Sequence, residues 1–226
     1  MSVEMTKAVQ GALRLDKKFD VIANHLANTS TAGYKAETLS FDDVFKAQMR
    51  IDMSQGSVLP SGNPLDIAIT GDGFFKVRTP YGDRYTRNGT FTLDKDNNLI
   101  TQEGYRVLGQ DGPLNFEGDN ITVSDSGDIQ VDGSQVGKFK IVTFNALENL
   151  EKEGNGLFVY KGNVADERTV SQTSVQQYAL EQSNVAVVTE MAEMITTSRL
   201  FESFQKLIQS YDEMDSKAVN EVGLVK

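Results

Sequence analysis

The spacing of apolar residues near the start of this chain predicts its first helix. These residues stand alternately three and four positions apart, as in the heptad repeat of helices that pack against one another. They are Met5, Ala8, Ala12, Leu15, Phe19, Ile22 and Leu26. The positions between them are mostly polar. The pattern therefore predicts an amphipathic helix over residues 5–26 that needs a partner to bury its stripe.

A second, wider apolar stripe near the C-terminus is the best partner that the sequence offers. The helical pattern resumes near Val185, within a predicted C-terminal segment of residues 183–226. Its candidate packing positions are Val188, Met191, Ile195, Phe201, Phe204, Ile208 and Tyr211. We expect the two helices to pair as a coiled-coil-like layer, although two ordinary core helices of one globule would have the same spacing.

Polar residues and glycines predict the end of the first helix and the nature of the next segments. Asn, Thr and Ser side chains over residues 28–31 compete for backbone hydrogen bonds, so the helix should end near Asn28. After this turn, Phe41, Val44, Phe45 and Met49 stand at helical spacing and predict a short helix. Glycines and prolines over residues 56–64 then predict an irregular connector.

From residue 65 the apolar pattern changes to period two. Short runs rich in β-branched and aromatic residues recur every eight to twelve positions, and Gly, Asn and Asp separate them. This pattern predicts an antiparallel all-β domain over residues 65–162. The chain is therefore expected to be α+β. We divide it into an N-terminal helix and turn (1–38), a connector (39–64), the β domain (65–162), a second connector (163–182) and a C-terminal helix (183–226).

Composition and charge narrow the range of partners. The formal net charge of the 226 residues is −10, and most of the acidic excess lies in the middle of the chain. Such a surface repels phosphate groups, so nucleic acid and anionic membranes are poor partners. No run of 18 apolar residues is present, and the N-terminus does not resemble a secretory signal. We expect no membrane insertion, and export, if it occurs, without signal-peptide cleavage.

An EF-hand-like triplet in the middle of the chain lacks the residues that calcium binding requires. Asp94, Asp96 and Asn98 match the start of such a loop, but Leu99 and Tyr105 occupy the positions of its glycine and its bidentate glutamate. The chain has no cysteine and a single histidine, which excludes thiolate sites and pairs of histidine ligands. We therefore predict no metal site and no cofactor.

No catalytic group stands out either. His25 has no evident triad partner in the sequence, so we expect it to be a packing or surface residue. The glycines at 71 and 73 lack the spacing and the following helix of a nucleotide-binding loop, and they predict a hairpin turn. Acidic residues are abundant, and the sequence alone leaves open a glycosidase-type carboxylate pair, although no spacing marks one. We predict that the chain is not an enzyme.

Three separated motifs resemble the flagellar basal-body rod protein family, which includes the hook protein. The first covers residues 20–28 with Gly33, Tyr34 and Lys35, and the family usually has an asparagine where His25 stands. The second covers residues 63–75 and 85–89. The third comprises Ser183, Asn184, Val185, Glu190, Met191, Met194, Ile195, Arg199, Phe201, Glu202, Lys206 and Ile208. Together they span nearly the whole chain, so the resemblance is highly specific.

The resemblance implies a mechanical function. In this family the two terminal helices pack into the inner tube of an axial filament, and the sheet domain forms an outer layer. The expected partners are copies of this chain, other rod proteins and the flagellar export apparatus. The expected location is the basal body, where the rod is a hollow shaft that transmits torque. The short segment between Lys35 and Asn63, and the sequence of residues 212–214, resemble the proximal-rod F-type subunit.

Two sets of candidate residues emerge from the apolar spacing and the resemblance. The candidate assembly interface is Met5, Ala8, Ala12, Leu15, Phe19, Ile22, Leu26, Val188, Met191, Ile195, Phe201, Phe204, Ile208 and Tyr211. Phe41 and Phe45 resemble an export-recognition segment, or else they anchor a short helix. The alternative functions are a distal-rod or hook subunit of the same family and a secreted hydrolase of cell-wall glycans.

Overall fold

The structure is a computed structural model that describes residues 3–41, 47–118, 120–170 and 174–222. Over these residues the chain is α+β, with a helix toward each end and antiparallel strands between them, as the sequence predicts. The chain divides into two compact units. Unit 1 consists of Met1–Ala27, Glu37–Arg50 and Val185–Lys226, and unit 2 of Asn28–Ala36 and Ile51–Asn184.

Unit 1 contains the two long helices. Helix α1 is Val3–Ala27 and helix α2 is Val187–Val222. Helix α1 ends one residue before Asn28, which confirms the prediction. The backbone carbonyl and side-chain oxygen of Asn28 accept bonds from the amide and hydroxyl of Thr31, so the chain turns instead of continuing the helix.

The short helix predicted around Phe41 and Met49 is wrong wherever the structure describes this segment. Strand β1, Glu37–Phe41, pairs with strand β2, Ala47–Ile51. Along β1 exposed and half-buried side chains alternate, which is the period of a strand. Large apolar residues alone gave the helical spacing, whereas the full pattern over residues 37–41 has period two. Val44 and Phe45 lie outside the described residues.

The remaining strands belong to unit 2. They are β3 Val58–Pro60, β4 Ile67–Thr70, β5 Phe74–Thr79, β6 Gly82–Thr86, β7 Phe91–Leu93, β8 Leu99–Thr101, β9 Arg106–Val107, β10 Ile121–Val123, β11 Asp128–Val131, β12 Ser134–Lys138, β13 Ile141–Phe144, β14 Leu150–Gly154, β15 Leu157–Tyr160, β16 Glu167–Thr169, β17 Ser174–Gln177 and β18 Ala179–Glu181. Two 3-10 turns, Leu147–Asn149 and Val164–Asp166, connect neighbouring strands.

The largest sheet of unit 2 has β5 at its centre. The strand order is β14-β15-β6-β5-β9-β8-β7, and β13 pairs with both β5 and β16. Strands β10, β11 and β12 form a second sheet, while β17 pairs with β4 and β18 with β3. The pairing is antiparallel throughout, with Phe75 opposite Thr86 and Val77 opposite Val107.

Strand β5 has a hydrophobic core on each of its faces. Phe75 and Val77 pack into one cluster, and Phe74 packs into the other with Tyr85 and Phe158. Successive side chains of a strand point to opposite faces, so a run such as Phe74-Phe75 is buried on both sides only when both faces are covered. The core of unit 2 therefore lies on both faces of its central sheet.

Candidate assembly site

The two helices of unit 1 lie against each other and run in opposite directions. Near the end of α1, His25 Nδ1 is 3.0 Å from Glu190 Oε1 in the first turn of α2. Earlier in α1, the ring of Phe19 meets that of Phe201 edge to face, with centroids 6.3 Å apart, farther along α2. Residues nearer the start of α1 thus contact residues farther along α2, so the two helices are antiparallel.

The candidate residues of α1 are all buried or half-buried. Ala8 and Ile22 are buried, and Ile22 exposes only 2% of its surface. The other candidates are half-buried, namely Met5, Ala12, Leu15, Phe19 and Leu26. Helix α1 thus has the amphipathic character that its spacing predicts.

The candidate residues of α2 fall into two groups. Half-buried side chains form the first group, Phe201, Phe204, Ile208 and Tyr211. The second group lies near the start of the helix and is exposed. Val188, Met191 and Ile195 expose 82%, 55% and 56% of their surfaces. Their spacing of three and four residues places them on one side of the helix, where they form an apolar stripe.

Apolar spacing did not reveal a close approach between the helices at Gly11. A Cβ atom added at Gly11 would lie 2.7 Å from Cε1 and Cζ of Phe204, so only glycine leaves room for this ring. A lone glycine inside a helical pattern costs stability relative to alanine and often marks close packing, so the glycine itself was the available signal. The buried Thr197 is another inward-facing residue of α2 that apolar spacing does not indicate.

His25 connects three elements of unit 1. Its Nε2 accepts a hydrogen bond of 2.9 Å from the backbone N–H of Glu37, so Nδ1 is the nitrogen that donates to Glu190. The side chain is 4% exposed. The structure therefore places His25 as a packed residue that ties the start of β1 to both helices.

Of the two candidate export residues, the structure describes Phe41. The guanidinium carbon of Arg14 lies 4.9 Å from the centroid of the Phe41 ring, and the ring is half-buried. This cation–π contact joins β1 to α1. Phe45 lies outside the described residues.

Unit 2 contains a buried cluster of charges that sequence spacing did not suggest. Lys35 and Glu181 each expose 1% of their surfaces, and Lys35 Nζ donates to Glu181 Oε1 over 2.7 Å. Arg87 Nε lies 3.0 Å from the other oxygen, Glu181 Oε2. Burial lowers the pKa of the Lys35 ammonium, and the hydrogen bond to Glu181 opposes this change. One carboxylate thus holds two buried cations.

Asn184 lies beside this cluster and bonds to two separate chain segments. Its Oδ1 accepts the backbone N–H of Ala36 over 2.7 Å. Its Nδ2 donates to the carbonyl oxygens of Asp52 and Ser54 over 3.0 and 3.1 Å. We call Lys35, Arg87, Glu181 and Asn184 the clasp. Lys35, Arg87 and Asn184 come from the three separated sequence motifs, and the fold brings them together.

A second polar cluster of unit 2 gives no support to the glycan hydrolase. Glu167 accepts hydrogen bonds from Lys76 Nζ over 2.8 Å and from Tyr85 Oη over 2.7 Å. Burial raises the pKa of this carboxyl, but the bonds from Lys76 and Tyr85 outweigh burial and leave the pKa low. Over the residues that the structure describes, each shifted carboxyl pKa is lowered, whereas a catalytic acid needs a raised one.

The EF-hand-like triplet forms a turn. Asp94 Oδ1 accepts the backbone N–H groups of Asp96 and Asn98, each over 2.8 Å, in the hairpin between β7 and β8. Its Oδ1 therefore satisfies backbone donors, and its Oδ2 accepts the side-chain amide of Asn98 over 2.8 Å. In the described part of the chain, no cluster of acidic or histidine side chains has the arrangement of a metal site. Across the same residues, no helix combines the length and apolar character that crossing a membrane requires.

Two family models match this chain. "Flagellar hook protein FlgE/F/G D1 domain" matches residues 68–141, and "Flagellar basal body rod FlgEFG protein C-terminal" matches residues 176–221. The flagellar basal-body rod protein FlgF of Caulobacter vibrioides is 30% identical, over 94% of this chain and 95% of that protein. The chain belongs to the flagellar hook and basal-body rod protein family.

Other members of the rod family are similar over the same extent. FlgG of Bacillus subtilis is 29% identical over 94% of this chain and 96% of its own length. FlgF of Mesorhizobium japonicum is 28% identical over 96% of both chains. These relatives confirm the family that the three motifs suggested. Of the two family models, the first runs from within β4 to the first residue of β13, and the second includes most of α2.

Proposed function

We propose that this chain is a structural subunit of the flagellar basal-body rod. Membership of the rod family supports this function, and the apolar stripe on α2 carries the proposal. Val188, Met191 and Ile195 are exposed in the single chain, and contiguous exposed apolar surface marks protein interaction sites. A subunit that is completed by its neighbours explains such a stripe, whereas a protein that acts alone would gain nothing from it.

Assembly through the terminal helices would produce a helical tube. The buried and half-buried candidate residues of α1 and α2, which we call the seam, pack as a coiled-coil-like pair, and the exposed stripe on α2 contacts the next subunit. Contacts between two different surfaces of identical subunits form a ring only when the rotation from one subunit to the next closes a full circle. Otherwise they extend into a helical filament. Helix α2, with 36 residues, is about 54 Å long, enough for an extended lateral contact. The role of the assembled subunits is to form a hollow shaft that transmits torque.

The chain is most similar in length to proximal-rod F-type subunits. Its alignment with the Bacillus FlgG runs over 256 positions, and that with the Caulobacter FlgF over 233, although each covers 94% of this chain. The additional positions are residues that the FlgG relative has and this chain lacks. The short region between Lys35 and Asn63 agrees with this assignment. A distal-rod or hook subunit is the alternative within the family.

Export by the flagellar apparatus, without cleavage of a signal peptide, would deliver the subunit to the rod. We expect the terminal segments to be largely unfolded in the free subunit, because a helix with an unpartnered apolar stripe is marginal in water. Phe41 belongs to the segment that resembles an export-recognition signal, so Phe41→Ala should leave the subunit in the cytoplasm. Arg14→Gln is the matched control because it removes the partner of the Phe41 ring and keeps the ring. Secretion of both variants at the wild-type level would contradict an export role for Phe41.

The experiment that tests the rod function is localisation. Basal bodies purified from cells that carry a labelled version of the chain should show the label on the proximal rod by electron microscopy. A label on the distal rod or hook would favour the alternative subtype. Absence of the label from purified basal bodies, with the subunit intact in the cells, would contradict the proposed function.

A further inference from the structure

The chain passes between unit 1 and unit 2 at four points. These are the bonds between residues 27 and 28, 36 and 37, 50 and 51, and 184 and 185. Three of them lead into segments of unit 2 that lie side by side, residues 33–36, 52–56 and 181–184. Backbone bonds join these segments, from Asp52 N–H to Ala36 C=O over 2.8 Å and from Gly33 N–H to Glu181 C=O over 2.8 Å.

The Asn184 side chain bonds to both of the other segments. The amide group suits this position because it offers one acceptor oxygen and two N–H donors. The oxygen binds the N–H of Ala36, and the nitrogen binds carbonyls of Asp52 and Ser54. An aspartate has nearly the same shape, but its second oxygen cannot donate to these carbonyls and would face them with like charge.

The charged part of the clasp holds the same three segments together. Lys35 Nζ donates to Ser54 C=O over 2.7 Å as well as to Glu181, and Glu181 Oε1 also accepts the N–H of Gly56 over 2.9 Å. These ions are buried, so each needs its partners to offset the loss of water. A slip of one segment past another would break several of these bonds at once.

The close approach of the segments depends on Gly33. This residue has φ of 67°, in the left-handed region, and an added Cβ would lie 2.4 Å from backbone atoms of Arg87 and Asn88. Arg87 in turn donates from Nη1 to the carbonyls of Gly71 and Gly73 over 2.8 and 2.7 Å. Glu181 is therefore anchored through Arg87 to the turn between β4 and β5.

We propose that the clasp locks the register of the three segments of unit 2 from which the chain crosses into unit 1, so that a load on the terminal helices enters unit 2 through these segments, with Asn184 as the positioning residue. The hydrogen bonds of the clasp are directional, so they resist sliding, whereas apolar contacts are not directional. A subunit that transmits torque needs its chain crossings held in register, and the clasp holds three of the four. The role in torque rests on the proposed rod function, whereas the restraint on the crossings does not.

The restraint is tested by hydrogen exchange on the full chain with Asn184→Asp. The matched control is Asn163→Asp, which adds the same charge and keeps the bond from Ala165 N–H to the side-chain oxygen of residue 163. In Asn184→Asp the amides of Ala36 and Asp52 should exchange roughly tenfold faster, the factor expected from losing about 1.4 kcal/mol of local stability. Those of Phe75 and Val142 in the core should not change.

Two exchange results would overturn the proposal. Unchanged exchange at Ala36 and Asp52 would mean that Asn184 does not hold the crossings. Faster exchange throughout unit 2 would mean that Asn184 supports the fold as a whole and does not act as a local joint.

The force-carrying role is tested in cells that produce only the Asn184→Asp chain. We expect flagella in normal number, with motors that deliver less torque at high load than those with Asn163→Asp. Full torque, or the absence of rods, would overturn this role. If labelled wild-type chain were missing from basal bodies, the rod function itself would fail, and the exchange result would still decide whether the clasp restrains the crossings.

Discussion

Units 1 and 2 differ in how far their apolar side chains are buried. In unit 2, Ile69, Phe75 and Val77 expose none of their surface. In unit 1, Val188 and Met191 stand mostly in water although the same helix packs its other side against α1. The apolar side chains of unit 2 are therefore buried by contacts within itself, whereas unit 1 retains exposed apolar surface of the kind that marks protein interaction sites. We infer from this difference that unit 2 can fold alone and that unit 1 is the part that assembles, and the predictions below test both inferences.

The largest effect on the folding of unit 2 should come from a fragment that ends before β17. A fragment of residues 28–184 should unfold cooperatively on heating, because it retains every strand of unit 2. A fragment of residues 61–162 lacks β17, whose Val175 is buried in the core beside β4. We expect it to melt without a sharp transition. Equal cooperative melts, followed by circular dichroism, would show that β17 adds little to the core.

In unit 1, a charge in the seam should prevent assembly while unit 2 stays intact. Ile22→Asp places a carboxylate at a position that is 2% exposed, and an unpaired buried charge costs several kcal/mol. Rods should not form, but the melting temperature of unit 2 should hardly change. Ala23→Asp adds the same charge at the neighbouring, exposed position and should assemble. Assembly of Ile22→Asp would mean that the seam is not needed.

A smaller effect is expected where Gly11 of α1 meets Phe204 of α2. Gly11→Ala raises helix propensity by about 1 kcal/mol but forces a methyl group against the Phe204 ring, and overpacking costs about 1–3 kcal/mol. The helical signal should therefore melt at a lower temperature under conditions where the chain self-associates. Adding Phe204→Leu should reverse the sign. A higher melting temperature for Gly11→Ala alone would mean that the contact has room.

Much of the architecture could be predicted from local patterns. The heptad spacing of Ile22 and its neighbours and the period of two after residue 65 are properties of adjacent residues, so they identify α1 and most of the sheet strands. Strand β17 is polar apart from Val175, and its partner β4 lies about a hundred residues earlier, so no local pattern indicated it. Long-range pairing of this kind also positions the clasp.

The candidate site was predictable to a different degree in each helix. In α1, spacing alone selected positions that are all buried or half-buried. In α2, the choice of large apolar residues combined the inner face with the exposed stripe, because both repeat at three and four residues. Glu190 and Thr197 lie on the inner face of α2 but are polar, so apolar spacing could not identify that face near the start of the helix. The contribution of Gly11 depends on a ring from the other helix, which sequence spacing cannot show.

The smallest expected effect is a dependence of the stability of unit 2 on pH through Glu167. The bonds from Lys76 and Tyr85 lower the pKa of Glu167 below its usual value, so Glu167 stabilises the folded state above the normal carboxyl range and loses this effect as the pH falls through its folded pKa. Glu167→Gln should cost about 1 kcal/mol at pH 7, and the difference from wild type should shrink toward about pH 3.

Urea unfolding at the two pH values measures this difference. Glu151→Gln, at an exposed position on β14, is the control and should leave stability almost unchanged at both. A difference between wild type and Glu167→Gln that grows as the pH falls would contradict the assigned bonds.

The central claim, that other subunits cover the stripe on α2, is tested most directly by oxidative footprinting of Met191. Its oxidation should be fast in the purified free subunit and many-fold slower in intact basal bodies, since assembly removes the side chain from water. Met53, which packs against the core of unit 2, supplies an internal reference whose rate should be similar in both samples. Equal oxidation of Met191 in the free subunit and in basal bodies that contain the chain would contradict this claim.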